Sequence, residues 1–263
     1  MALAAILFGL AIGLTVGALG GGGSVLAVPV LVYVLGQSVH EATTESLVIV
    51  TAAALAGGLG HAREGQVCWR HAGAFVAAAL PGVIAGTVLG DAVGGATLIA
   101  TFAVVMLVAA AATWRKASTA EAGAVGFADR PVCPPVLLGR DLGVGLLVGL
   151  LTGFFGVGGG FLVVPALAIA LALSMRLAVG TSLVIITVTS LLGLASHLAI
   201  GRTIEADVTI AMTVACVIGA LGGVAVAGRV PQRLLGHGFA AVVAAVAVYL
   251  LVSAAFLGGP PGS

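Results

Sequence analysis

Apolar residues fill this chain in ten stretches, separated by short polar or glycine-rich breaks. In the first half they cover about 2–19, 24–36, 39–60, 72–91 and 95–113. In the second they cover about 141–156, 160–173, 175–200, 207–228 and 235–257. A helix needs roughly 20 apolar residues to cross a bilayer, and most stretches reach that length. The second of each half holds only about 13 or 14, and a glycine run precedes it. Each first pair therefore predicts a helical hairpin, either re-entrant or fully crossing. Irregular backbone at membrane depth is tolerated where protein covers it or it lines a cavity. The third stretch of each half begins after a serine, Ser38 or Ser174, which suits an N-cap. Glu41 follows Ser38 at the capping-box spacing.

The ten stretches are five written twice. Residues 13–29 read GLTVGALGGGGSVLAVP, and residues 149–165 read GLLTGFFGVGGGFLVVP. One shift of 136 places Gly17 on Gly153, Gly20 on Gly156, Pro29 on Pro165, Ser46 on Ser182, Thr51 on Thr187, His61 on His197 and Gly65 on Gly201. About 20 of the 53 positions from 13 to 65 are identical under it. Duplicated halves with glycine-broken segments in matching places are the sequence pointer to a transporter's binding site.

Composition narrows the class. Of 263 residues, 61% are hydrophobic and 7% charged, whereas a soluble domain carries about 25% charged residues. The chain is expected to be an all-α polytopic membrane protein lying in a lipid bilayer. A net charge of +1 and few aromatics give nucleic acid nothing to bind. Cys68, Cys133 and Cys216 lie far apart without metal-ligand spacing, and read as thiols that merely occupy space. No phosphate-binding loop, zinc-protease motif or catalytic triad is present, so neither cofactor, metal nor enzymatic activity is expected. The expected organisation is a first membrane repeat at 1–113, a linker at 114–140, a second repeat at 141–257 and a disordered tail at 258–263. The first segment lacks a basic leader and reads as retained.

Charge placement sets the expected topology. If each hairpin returns to its starting face, three further crossings per half invert the two halves. With the linker inside, Arg63, Arg70, Arg115, Lys116, Arg130, Arg140, Arg176, Arg229 and Arg233 all fall on the cytoplasmic face, and only Arg202 falls outside. Parallel halves move three of these arginines out, so the positive-inside rule favours inverted repeats. Both termini are then external, and the hairpin tips converge near the midplane.

The tips are Gly20, Gly21, Gly22, Gly23 and Ser24 in the first half, and Gly156, Gly158, Gly159 and Gly160 in the second. Backbone N–H groups at the start of the following short helix can bind an anion without a basic side chain. The plainer reading is that these glycines let helices pack closely. The third helices add Thr43, Thr44, Ser46 and Thr51, and Thr181, Ser182 and Thr187. These hydroxyls could donate to an anion or bond their own helix. Ser46, Thr181 and Ser182 are the candidates for substrate contact.

Glu45 breaks the symmetry, because its counterpart is Thr181. Inside a membrane segment a carboxyl is a functional candidate; near the helix start it could equally reach the interface. His61 and His197 end the third helices and are candidates for coupling or gating, against a plain helix-capping role. His40, His71 and His237 look interfacial, and Asp91 looks like a turn residue. Pro29 and Pro165 interrupt the short arms, and Pro81 a later helix; the first two are candidate hinges.

The stretches GALGGGGSVLAVP, GFFGVGGGFLVVP and AVGTSLVIIT together resemble the TauE/SafE sulfite exporter family. Its two signatures match residues 20–29 and 156–165, and its G-T-S-L element matches Gly180, Thr181, Ser182 and Leu183. The first half departs there, with Thr44, Glu45, Ser46 and Leu47. The resemblance implies a bacterial inner-membrane carrier of sulfite, an organosulfonate or a related small anion. The reading is a secondary transporter working by alternating access, with proton or sodium coupling if it imports. An anion channel and a non-transporting assembly partner are the rivals.

Overall fold

A computed structural model describes residues 2–37, 39–90, 95–119, 133–155, 160–199 and 206–256. The described residues are helical throughout, apart from short connections. The helices are α1 (Ala2–Leu19), α2 (Ala27–Pro29), α3 (Val39–Arg63), α4 (Trp69–Gly90), α5 (Gly95–Thr119), α6 (Leu138–Phe155), α7 (Gly160–Pro165), α8 (Met175–Ala199), α9 (Ala206–Arg229) and α10 (Gln232–Phe256). Seven of them, α1, α3, α4, α6, α8, α9 and α10, are long and apolar enough to cross a membrane. Leu7, Ile84, Val88, Ile210, Val214 and Ile218 are exposed. In water that outer surface would carry a large penalty; in lipid it carries none.

Glycine stripes decide which helices touch. Gly9, Gly13 and Gly17 of α1 lie against Met212, Cys216 and Ala220 of α9, and a methyl on Gly13 would stand 2.0 Å from the Cys216 carbonyl oxygen. The register advances four residues at a time on both helices, so they run parallel. Gly145, Gly149 and Gly153 of α6 meet Phe75, Ala79 and Val83 of α4 in the same way. Such small-residue stripes let backbones approach closely where no hydrophobic force acts between helices. The shift of 136 carries α1 onto α6 and α4 onto α9. Each half therefore lends its first helix to the other half's fourth. The equivalent helices α3 and α8 also meet, with Gly57 beside Leu183 and Gly193 beside Leu47. Their residue numbers run in opposite directions, so this pair is antiparallel.

The short arms repeat each other bond for bond. After Pro29 the chain winds a π-helical turn over Val30–Val34, and after Pro165 another over Ala166–Ala170. Leu35 N donates to Val30 O and Leu171 N to Ala166 O, each at 3.2 Å; Gln37 N donates to Leu31 O and Leu173 N to Leu167 O, each at 3.1 Å. Proline has no N–H to give and crowds the preceding turn, and the wider turn that follows takes up the mismatch. Lys116, from the last turn of α5, caps the second arm by donating to the Ala168 and Leu173 carbonyls.

Several expectations need correcting. The stretch 114–119 belongs to α5 and 138–140 to α6, so the linker is shorter than its composition implied. The second arm ends at Ala170, and α4 and α10 begin at Trp69 and Gln232, each three residues earlier than expected. The cysteines are not three separate thiols. Cys68 and Cys133 form a disulfide across a sequence separation of 65, and Cys216 is free and buried. Spacing along the chain carried no trace of that pairing, since only the fold brings Cys133 to Cys68. His71 does not stand alone. It is buried and paired with Asp141, also buried, and its Nε2 lies 3.1 Å from the Pro134 carbonyl oxygen. Ser174 does not cap α8, as its buried hydroxyl has no partner among the described residues. Ser38, Asp91 and the tail lie outside the described residues.

Candidate functional site

The tip of the first hairpin is not an open loop. Gly20–Gly22 and Ser24–Leu26 each wind one 3₁₀ turn, so helix continues through the run expected to bare its N–H groups. The direction changes at Gly20, whose φ of +73° is costly for any residue with a side chain. This tip meets the other half. Gly20 stands against Ser182 and Val164, and Gly21 against the Gly160 backbone so closely that a methyl would fall 1.6 Å from Gly160 O. Ser24 and Gly160 are equivalent under the repeat, and they touch: a methyl on Gly160 would stand 2.7 Å from Ser24 Oγ. Gly22 faces the Phe239 ring, and Gly23 the Val16 backbone and Thr15. The structure thus gathers Gly20, Gly21, Ser24, Gly160 and Ser182 in one place. Gly156, Gly158 and Gly159 lie outside the described residues.

The candidate hydroxyls are turned onto backbone. Ser24 Oγ donates to Gly21 O at 2.7 Å. Ser46 donates to Thr43 O and Ser182 to Val179 O, both at 2.8 Å. Thr51 donates to Leu47 O and Thr187 to Leu183 O, at 2.6 and 2.7 Å. The two halves use the same i−3 and i−4 bonds at matching positions. Each serine keeps its lone pairs for an incoming donor and must rotate to give its proton to an anion. Thr181, fully buried, accepts from the Cys68 backbone N–H at 3.0 Å.

Glu45 is covered by protein. It is 0% exposed and accepts from Gln37 Nε2 at 2.7 Å, while Gln37 Oε1 is buried without a partner among the described residues. Gln37 falls on Leu173 in the second half, so this polar pair has no counterpart there.

His61 does not cap its own helix. It is 1% exposed; its Nδ1 lies 2.7 Å from Gln66 Oε1 and its Nε2 2.9 Å from Gly17 O. The turn that places Gln66 there is a Schellman cap. Gly65 takes φ +71°, Gly65 N donates to Ala62 O at 3.0 Å, and Gln66 N to His61 O at 2.9 Å. That motif brings the residue after the glycine back onto the helix's last full turn. Gln66 Nε2 donates in turn to Glu64 at 2.7 Å. Gly180 packs on this turn, with room for neither a side chain nor a shift: a methyl would stand 2.3 Å from Gln66 O and 3.0 Å from His61 Cβ. The His61 cluster therefore abuts the Gly180–Thr181–Ser182 segment that faces the tip. His197 ends α8, and its side chain lies outside the described residues.

The sequence reading missed Gln66 and Asp141. The string His61-Ala62-Arg63-Glu64-Gly65-Gln66 carried a usable signal for Gln66, a helix ending in glycine with a polar residue after it. Asp141 carried none, because its partner is 70 positions away.

Residues 5–250 match the family model described as sulfite exporter TauE/SafE. The chain belongs to that family. It is 35% identical over 245 residues to a probable membrane transporter protein of Xylella fastidiosa strain 9a5c, covering 91% of each. The counterpart in strain Temecula1 is 34% identical over the same length. The probable membrane transporter protein YunE of Bacillus subtilis is 26% identical over 205 residues, which is 72% of this chain and 75% of that one. No solved structure matches. The TauE/SafE chain is accordingly a multi-pass membrane transporter, and such a protein is generally not an enzyme.

Proposed function

We propose that this transporter exports a small sulfur-containing anion, sulfite or an organosulfonate, by alternating access, with the anion held between the two glycine tips. The observation that carries this is the meeting of Ser24 and Gly160, equivalent residues of the two halves, at one point beside Ser182. A rocking motion between repeats turns about such a point, and a site placed there is exposed to each face in turn. Broken helices at membrane depth supply backbone dipoles, which suit an anion in a region with no lysine or arginine. The serine hydroxyls become donors once they leave their own helix carbonyls. Pro29 and Pro165, each followed by a π turn, are the hinges. Against a negative-inside potential, outward movement of an anion is downhill.

The membrane is the bacterial inner membrane, with the linker and its arginines in the cytoplasm. The Cys68–Cys133 bond lies on that linker face, and stable disulfides are rare in the cytosol. Labelling Cys133 from one side with a membrane-impermeant thiol reagent, before and after reduction, tests the orientation. Labelling only from outside reverses the assigned topology.

Flux into and out of proteoliposomes tests the function, with sulfite, thiosulfate, sulfoacetate and taurine as substrates. Movement of at least one above the rate in empty vesicles is expected, and no movement of any sinks the proposal.

A further inference from the structure

We propose that the Cys68–Cys133 disulfide is a reversible covalent site for sulfite, through which the cargo reports its own concentration to the loop beside Gly180, Thr181 and Ser182. The covalent step stands by itself; the reporting role rests on the sulfite reading above.

The disulfide has two unequal ends. Cys133 is exposed, five residues before α6 begins, and Cys68 is 3% exposed. A nucleophile therefore reaches one sulfur and not the other, and access helps decide which sulfur of a disulfide is attacked. Cys68 directly precedes α4, and its carbonyl accepts a helical bond from Ala72 N at 3.0 Å. A thiolate released there stands at the positive end of a helix of 22 residues, which favours its departure.

The corner around the bond draws anions. Helices α4 and α6 are parallel, and the buried His71–Asp141 pair joins their first turns. Two positive helix ends thus stand side by side. Arg70 and Arg140, each one residue before a member of that pair, are exposed on the same two turns, and Arg63 is exposed just before the loop. Against them stand Glu64, which is exposed, and Asp141, which faces His71. The balance is positive, and it concentrates a small dianion at the exposed sulfur.

The step balances without an added oxidant or reductant. The sulfur lone pair of sulfite attacks Cys133 Sγ. The bond to Cys68 breaks, its electron pair leaves on the Cys68 sulfur, and the new S–S bond makes Cys133 an S-sulfonate. Attack of the Cys68 thiolate on Cys133 expels sulfite and closes the disulfide again. The open fraction therefore follows the sulfite concentration. The proposed topology puts this face in the cytoplasm, where disulfides are mostly transient, catalytic or sensing.

Opening is felt at the candidate site. The Cys68 N–H donates to Thr181 Oγ1 at 3.0 Å, and Gly180 packs on Gln66 O. The closed bond holds the loop in that place. Opening loosens it from Thr181 and eases the rocking of one half on the other.

Mass spectrometry of the oxidised, detergent-solubilised protein treated with sulfite tests the covalent site. One sulfonate on Cys133 and a free thiol on Cys68 are expected, formed severalfold faster than in an uncharged peptide disulfide. A sulfonate on Cys68, or cleavage no faster than in the peptide, overturns the proposal. Sulfite should also lower the melting temperature of the wild type and leave that of Cys133→Ser unchanged. Reporting is read as flux of sulfoacetate, a sulfonate that does not cleave disulfides, after the open state is trapped by alkylating Cys68 and sulfite is removed. Flux should be higher in trapped than in closed protein, and insensitive to the same treatment in Cys133→Ser. Equal flux in closed and trapped protein overturns the reporting role. Absence of sulfoacetate flux in every sample would count against the transport reading, and the mass map would still decide the covalent site.

Discussion

Follow the two short arms from proline to the next helix. Both wind a π turn, close with the same two backbone bonds and then turn through a residue of positive φ, Gly36 at +72° and Ala172 at +56°. Then they diverge. The first arm delivers Gln37 to Glu45; at the equivalent positions of the second half stand Leu173 and Thr181. Backbone geometry has been kept through duplication, while the side chains at the end of each arm have been reassigned. The first half places a buried carboxyl and its amide at one end of α3 and the His61–Gln66 pair at the other. The second half contributes the Gly180–Thr181–Ser182 surface onto which that pair packs. The arms are symmetric in backbone, and the side chains they present are not.

Copying residues from one half to the other breaks this comparison in a graded way. The largest effect is expected at the tip. Gly21→Val copies Val157 of the second half, yet drives a branched side chain into the Gly160 backbone. A loss of about 3 kcal/mol or more is expected, seen as failure to accumulate in the membrane and loss of flux. Wild-type expression and melting would show that the tips part easily.

A disulfide ties the first half's loop to Cys133, and Cys68 falls on Ile204 in the second half. Cys133→Ser should lower stability by about 3 kcal/mol, and reductant should lower the melting temperature of the wild type but not of the variant. Next comes the polar pair. Glu45→Thr copies Thr181 and strands Gln37, costing about 2 kcal/mol. Adding Gln37→Leu should restore most of that stability, as a double-mutant cycle would record. A cost that simply adds would show that the two side chains do not depend on each other. The smallest effect runs the other way. Ala172→Gly, copying Gly36, relieves a left-handed alanine and should raise stability by about 1 kcal/mol in a thermal melt.

The sequence was legible wherever a signal is local or repeated. Helix ends fell within about three residues in most elements because hydrophobic length, glycine and charge mark them locally. The duplication pointed to Gly20, Ser24 and Gly160, which the structure brings close together. What could not be read is what two distant segments create on contact. The Cys68–Cys133 bond, the His71–Asp141 pair and the Cys68–Thr181 hydrogen bond each join residues more than sixty positions apart. Glu45 was ambiguous for a related reason, because depth in a bundle depends on neighbours that periodicity does not name. The 3₁₀ winding of the glycine run was hidden by glycine itself, which allows almost any backbone.

The parallel docking of α1 on α9 has a consequence for how the molecule is made. During synthesis α1 enters the membrane with its Gly9, Gly13 and Gly17 stripe bare, and the helix that covers it emerges about two hundred residues later. Until then the stripe must be shielded by lipid or by the insertion machinery. Neither half can complete itself, because each waits for a helix that only the other encodes. A ribosome that stops after the linker leaves α1 without its mate and α4 without α6. Two separately translated halves, released into the same membrane, each carry what the other lacks.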